Sequence, residues 1–229
     1  MERDPGAGDD PGRWAVAVEP AWLRARLVPV AQAAGVSVEP EAWIPLARYA
    51  SLLLAWRARI NLTGATTPEA LADEHLADAL FLVPHLPGPG ARLADVGSGA
   101  GLPGLVLAIL RPKLSVTLIE PAAKRHTFLR AARRALERPE IAVEAVSLEA
   151  HLAAGGARAY EVAVSRATWP VAEWLQRGER LVRPGGVVLG LEGEALASLP
   201  PTARRHPYRL AGRPRAVISM PASSFHVER

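Results

Sequence analysis

The chain contains no cysteine. That excludes disulfides, thiolate metal ligands and a cysteine nucleophile, and it fits a reducing compartment. Lysine is nearly as scarce. Of the 27 basic residues only Lys113 and Lys124 are lysines, so arginine carries the positive charge. Because arginine stays protonated far into the alkaline range, a net charge of only +4 coexists with an isoelectric point near 10.1. Aromatic residues make up 5% of the chain. No apolar run approaches the roughly 20 residues of a membrane span. The opening MERDPGAGDDPGR is acidic and rich in Gly and Pro with no apolar stretch, so no secretory signal is read and a cytoplasmic location is expected. The six histidines (75, 85, 126, 151, 206 and 226) have no close metal-ligand spacing, and no metal site is expected.

What is present falls into three parts across 229 residues. Residues 1–19 read as a disordered acidic tail. Residues 20–88 read as a helical cap, with helices expected over 21–34, 40–60 and 68–82. In the second of these, Trp43, Leu46, Ala47, Ala50, Leu53 and Leu54 recur at three- and four-residue steps. Pro84–Gly90 has linker composition. From residue 89 the period changes. Short apolar strands are expected at 92–96, 115–120, 141–146, 161–164, 186–191 and 216–220, with helices at 105–110, 122–138 and 169–181. This alternation predicts an α/β fold, a doubly wound Rossmann-like parallel sheet with a helical N-terminal extension.

The most informative stretch is Leu93–Gly104, LADVGSGAGLPG. Gly99, Gly101 and Gly104 form G-x-G-x-x-G between a strand and a helix, the context that makes the motif credible. Gly97 and Ser98 open the turn. Glycine permits positive φ and close approach of a ligand to the backbone, and the helix start offers free N–H groups. Glu120 ends the next strand, where a carboxylate can accept both hydroxyls of a ribose. An adenosine-type cofactor at the sheet's switch point is therefore expected. A nucleoside triphosphate lacks its Gly-Lys-Ser/Thr signature. A nicotinamide dinucleotide is allowed by the glycines. Asp95 favours S-adenosylmethionine, whose ammonium and sulfonium suit a nearby acid. The competing role for Asp95 is acceptance of an N–H that fixes the turn.

Among methyl transfers, carbon-5 pyrimidine chemistry needs the missing cysteine, and the Asn/Asp-Pro-Pro-aromatic signature of adenine amino methylation is absent around Val164–Ala167. N7 of guanine fits what remains, because it presents an in-plane lone pair and no proton, so no general base is required. Arg166, at the end of the fourth strand, is the candidate catalytic residue, positioning donor or acceptor; its competing role is a salt bridge with Glu149 or Glu192. His75, Asp78 and Asn61 are expected to make cap-to-core hydrogen bonds. Trp22, Trp43, Trp56, Trp169 and Trp174 fall in expected helices and read as core rather than base-stacking surfaces. Ser98 lies in G-S-G, not G-x-S-x-G, so no hydrolase nucleophile is expected. Residues 111–138 hold eight bases and two acids, and 200–229 six bases and one acid. A basic half suggests a phosphate-rich partner, but solvated helix faces explain this on charge alone.

Several segments together resemble the small-subunit ribosomal RNA methyltransferase G family, also called glucose-inhibited division protein B. They are Asn61-Leu62-Thr63, Glu74-His75-Leu76 with Asp78, DVGSGAGLPGLVLAI, Lys124-Arg125 with Phe128-Leu129, Ser165-Arg166-Ala167 and Pro184-Gly185-Gly186, in that order over roughly residues 45–195. The resemblance implies a class I methyltransferase fold and methylation of guanosine N7 in 16S rRNA, with S-adenosylmethionine as donor and the small ribosomal subunit as partner. It places donor contacts on Gly97, Leu102, Leu148, Glu149 and Arg166. A monomer is expected, reaching a recessed base. Two positions depart from the family's pattern: Ser147 replaces an arginine and Glu192 a lysine. Both changes predict weaker attraction for RNA phosphate. A methyltransferase acting on another RNA or a small molecule stays open, as does a non-catalytic RNA-binding paralogue.

Overall fold

The structure, a computed structural model, describes residues 17–57, 59–194 and 196–223. Most of the expected tail, residues 1–16, lies outside the described residues.

Helix α1 (Pro20–Ala33) starts on a proline whose missing N–H costs nothing in a first turn, and it stops before Gly35, at φ +67°. Helix α2 (Trp43–Arg57) follows a 3₁₀ turn at Pro40–Ala42. The third expected helix is broken into pieces. Helix α3 (Pro68–Leu71) is capped by Thr67 Oγ1, which accepts the Ala70 N–H at 3.2 Å. A π turn (Ala72–Leu76) then leads into α4 (Ala77–Leu82). Such turns interrupt the regular helix and recur at functional sites; this one carries Glu74 and His75.

The strands are β1 (Arg92–Val96), β2 (Ser115–Ile119), β3 (Ala142–Glu144), β4 (Tyr160–Ser165), β5 (Val182–Glu192), β6 (Arg204–Leu210) and β7 (Arg213–Pro221). Between them lie α5 (Gly104–Leu110), α6 (Ala123–Ala135), α7 (Leu148–His151) and α8 (Val171–Glu179). One seven-stranded sheet runs in the order β3-β2-β1-β4-β5-β7-β6. The expected parallel pairing holds from β3 through β5, but β7 pairs antiparallel with both β5 and β6. Strand β6 and helix α7 were not anticipated from the sequence. Neighbouring strands leave β1 in opposite directions, towards β2 and towards β4. The crevice outside their carboxyl ends is where open α/β sheets bind ligands.

Every residue of α5 is buried. It is sandwiched between the sheet and helices α2 and α4, so one apolar core runs from the N-terminal helices through α5 and α6 into the sheet. A second core on the opposite face packs Trp174 and Leu175 of α8 against Ala163, Val188 and Ile218. Both faces of the sheet are therefore covered, which fixes the strand tips that carry the site.

Candidate active site

The turn after β1 is tied down from several sides. Ile119 carbonyl oxygen accepts the N–H groups of Gly97 and Ser98, at 2.9 and 3.3 Å. Ser98 Oγ donates to the Asp95 carbonyl at 2.7 Å. Tyr49 of α2 is fully buried and donates its hydroxyl to the Ala100 carbonyl at 2.7 Å, so the cap holds the turn directly. Gly97 has φ +67°, and a Cβ there would collide with the Thr168 side chain. A side chain at that position would have to displace Thr168 in the loop after β4. Gly99 has φ +55°, and the nearest neighbour to a Cβ there would be the Gly97 carbonyl at 3.7 Å.

Glu120 is 2% exposed. Its Oε2 accepts the Gly99 N–H at 2.8 Å and its Oε1 the Ala122 N–H at 2.9 Å. Each carboxylate oxygen keeps a second lone pair for a ligand hydroxyl. Ser147 caps α7, its Oγ accepting the Ala150 N–H at 3.2 Å, and so holds Leu148 and Glu149 at the helix start. At the position where the resemblance led to the expectation of an arginine, this chain has a helix cap.

These groups border a cavity of about 740 Å³ at the carboxyl ends of β1, β2 and β4, within the range of small-molecule sites. Of the candidates read from the sequence, Gly97, Ser98, Gly99, Leu102, Glu120, Leu148, Glu149 and Arg166 line it. Asp95 and Gly101 do not. Asp95 is wholly buried, its Oδ2 accepting the Gly104 N–H at 2.9 Å while Oδ1 has no hydrogen-bond partner among the described residues. Burial pushes its carboxyl up to about 7, only partly offset by the Gly104 N–H and by Arg166. The expectation that Asp95 faces a ligand ammonium gives way to its competing role: it braces the start of α5.

The opposite half of the cavity is built by the cap and the late strands. The π turn sets His75 against Arg166, whose guanidinium donates to Nδ1 at 2.7 Å. Nδ1 then carries no proton, so Nε2–H donates to Thr63 Oγ1 at 2.7 Å. Burial, followed by the charges of Arg166 and Arg215, lowers the imidazole to about 4 and keeps it neutral. Asp78 accepts from Tyr208 O–H at 2.8 Å and from the Arg215 guanidinium at 2.9 Å. Burial raises its carboxyl, and these two partners pull it back. Arg215 Nε is buried with no hydrogen-bond partner among the described residues. His75 and Asp78 thus bond cap to core as expected, and they also line the cavity.

Two charge expectations change. Arg166 pairs with neither Glu149 nor Glu192. Glu149 is joined to Arg177 at 3.1 Å, and Glu192 to Arg205 at 2.6 Å. Burial raises the Glu192 carboxyl, but Arg205 and the Ala197 N–H outweigh that and hold it below its usual range. Its charge is compensated, so the repulsion expected from this position is largely cancelled. Sequence reasoning passed over Thr168 and Arg215 at the cavity and read Trp169 as core. For Trp169 a signal existed: Pro170 follows it, and a residue before proline is disfavoured in a helix. The helix starts at Val171, and Trp169 belongs to the loop.

A sequence profile described as rRNA small subunit methyltransferase G matches residues 44–208. The ribosomal RNA small subunit methyltransferase G of Anaeromyxobacter dehalogenans (strain 2CP-1) is 41% identical over 162 residues, covering 71% of this chain and 74% of that protein. The protein of the same name from Xanthomonas oryzae pv. oryzae (strain KACC10331) is 39% identical over 160 residues, covering 68% and 73%. Among solved structures, TrmN from Thermus thermophilus superposes with a TM-score of 0.50 at 20% identity, over 66% of this chain and 53% of that one, a likeness of fold alone. The fold is that of class I Rossmann-like methyltransferases. With the profile spanning the glycine turn, the π turn and the Ser165-Arg166-Ala167 tip, and with both relatives covering more than two thirds of the chain at about 40% identity, this chain belongs to the rRNA small subunit methyltransferase G family.

Proposed function

We propose that the protein transfers the methyl group of S-adenosylmethionine to N7 of a guanosine in 16S rRNA. The donor's adenosine fits the first half of the cavity on two counts. Glu120 offers spare carboxylate lone pairs to a ribose, and the Gly99 backbone leaves open space where a side chain would stand. Leu148, buried at the start of α7, supplies apolar surface for an adenine ring. Bound there, S-adenosylmethionine supplies an electrophilic methyl carbon whose bond to sulfur breaks as the bond to N7 forms, leaving a neutral thioether and a cationic guanine ring.

One observation carries the choice of acceptor. Every buried acid or base in the acceptor half is already committed to a protein partner: His75 to Arg166 and Thr63, Asp78 to Tyr208 and Arg215, Glu192 to Arg205. The exposed Glu74 carboxylate also borders this half. Such a wall can orient a substrate, and among the described residues none of its buried groups is poised to take a proton. Guanine N7 gives up none. Arg166 and Arg215 present donors on that wall, suited to the O6 acceptor of guanine, which leaves the neighbouring N7 lone pair for the methyl group. The protein's part is alignment, which can account for roughly 7–11 kcal/mol of a barrier.

The test is incubation with 30S subunits lacking the modification and isotopically labelled donor, followed by digestion of the rRNA. Labelled 7-methylguanosine is the expected product. Its absence, with the label in another nucleoside or nowhere, overturns the assignment. Isothermal titration with S-adenosylhomocysteine checks the donor separately.

A further inference from the structure

We infer that Trp169 is the stacking platform on which the acceptor guanine lies during transfer. The inference rests on the ribosomal reading above and adds a residue to it.

The acceptor half of the cavity is rich in charge and hydrogen bonds but poor in flat apolar surface. Glu74, His75, Asp78, Arg166, Glu192 and Arg215 line it with polar edges. A guanine drawn out of RNA loses the neighbours it was stacked on, and polar edges do not replace them. Apart from the small His75 ring, Trp169 is the aromatic side chain lining the cavity among the described residues. It is half-buried, in the loop that leaves the β4 tip directly after Arg166. Thr168, the residue before it, fills the space above Gly97, so this loop packs on the donor turn.

The indole is held in place. Trp174 stacks against it with centroids 5.8 Å apart and planes at 11°, and the Arg177 guanidinium carbon sits 5.3 Å from its ring centre. Both supports are anchored in turn. Trp174 donates its ring N–H to the Leu189 carbonyl at 2.7 Å, and Arg177 bonds Glu173 at 2.8 Å and Glu149 at 3.1 Å. A ring fixed this way loses little freedom when a base arrives. If its role were only to fill the core it would be covered, as Trp174 is at 2% exposure. Methylation at N7 also makes the guanine ring cationic. An indole face attracts a cation, so this contact strengthens as the transition state is approached.

The experiment compares wild type, Trp169→Phe and Trp169→Ala for methyl transfer to undermethylated 30S subunits and for S-adenosylhomocysteine binding. Losing a base-stacking ring weakens nucleic-acid contacts by roughly tenfold to a hundredfold. Trp169→Ala is expected to lower kcat/KM for 30S by about that factor while the S-adenosylhomocysteine Kd moves less than about twofold. Trp169→Phe, which keeps a ring, is expected to recover most of the loss. A parallel drop in S-adenosylhomocysteine affinity makes the indole a wall of the donor site and overturns the inference. So does a Trp169→Phe as impaired as Trp169→Ala, which marks a packing role. Active wild type with an equally active Trp169→Ala removes the platform and leaves the ribosomal reading standing. Inactive wild type removes both.

Discussion

Glu120 uses one carboxylate for two purposes: it anchors the Gly99 and Ala122 N–H groups and it faces the cavity. In Glu120→Gln an amide nitrogen replaces one acceptor and meets a backbone N–H, donor against donor. Hydrogen bonds to a charged group contribute about 1.5–3 kcal/mol, so S-adenosylhomocysteine affinity should fall by at least about tenfold in a titration. An unchanged Kd would mean that this carboxylate does not read the ribose. His75 gives a test by pH. The unfolded chain takes up a proton there near pH 6.5, whereas the folded protein holds the ring neutral down to about 4. Between those values the unfolded state binds more protons, so this residue's contribution is whole above pH 6.5 and is lost as pH falls towards 4. The melting temperature of wild type should therefore drop more steeply across that window than that of His75→Gln. Parallel curves would show that the ring titrates normally. At Tyr49 the hydroxyl is the only link made to the Ala100 carbonyl by a side chain in the described hydrogen bonds. Tyr49→Phe should cost about 1–3 kcal/mol, the penalty of leaving that carbonyl unpaired, measured by denaturant unfolding.

Between strands, the pair joining Glu192 on β5 to Arg205 on β6 reaches across β7 and compensates a charge that the sequence left exposed to argument. Glu192→Lys alone should therefore set two cations side by side and lower the melting temperature, because the buried end of this half-exposed pair loses its compensating charge. The double variant Glu192→Lys with Arg205→Glu should recover most of that loss in thermal denaturation. A single variant as stable as wild type would show that Arg205 finds another partner. The same strand shows where sequence reading fails. Arg204–Leu210, RRHPYRL, carries three arginines and a proline, signals of a loop; in the structure these are the charges and the missing N–H that protect a sheet edge. Helix α7 is too short for periodicity to register, and only its Ser147 cap marks it. By contrast β1, the glycine turn and β2 were legible. Two apolar strands around positive-φ glycines carry a pattern that local sequence can hold. Thr63, Arg215 and the cavity-facing role of His75 were not, because the contacts that define them join residues far apart in the chain. The glycines were read correctly as a turn, but Asp95 could point either into the cavity or at Gly104, and only packing against α5 decides that.

At the scale of the whole protein, a net charge of +4 spread over 229 residues gives little long-range attraction for an RNA partner, so association should depend on where the charge is concentrated. The concentration lies on α6, whose first turn borders the cavity through Arg125. Its buried side packs Phe128, Leu129 and Ala132 into the core, which leaves Lys124 and Arg130 exposed, and neither makes an ion pair among the described residues. A duplex or loop entering the cavity would run its phosphates along this helix. Each phosphate neutralised releases counterions and adds about 0.7–0.9 to the slope of log affinity against log salt. Replacing Lys124 and Arg130 together by alanine should lower that slope by roughly 1–2 in 30S binding. Arg125 and the strand tips stay intact, so S-adenosylhomocysteine affinity should not change. Loss of affinity at low salt without a change in slope would point to a disturbed helix rather than to lost phosphate contacts. An unchanged slope and affinity would mean that the RNA path avoids α6.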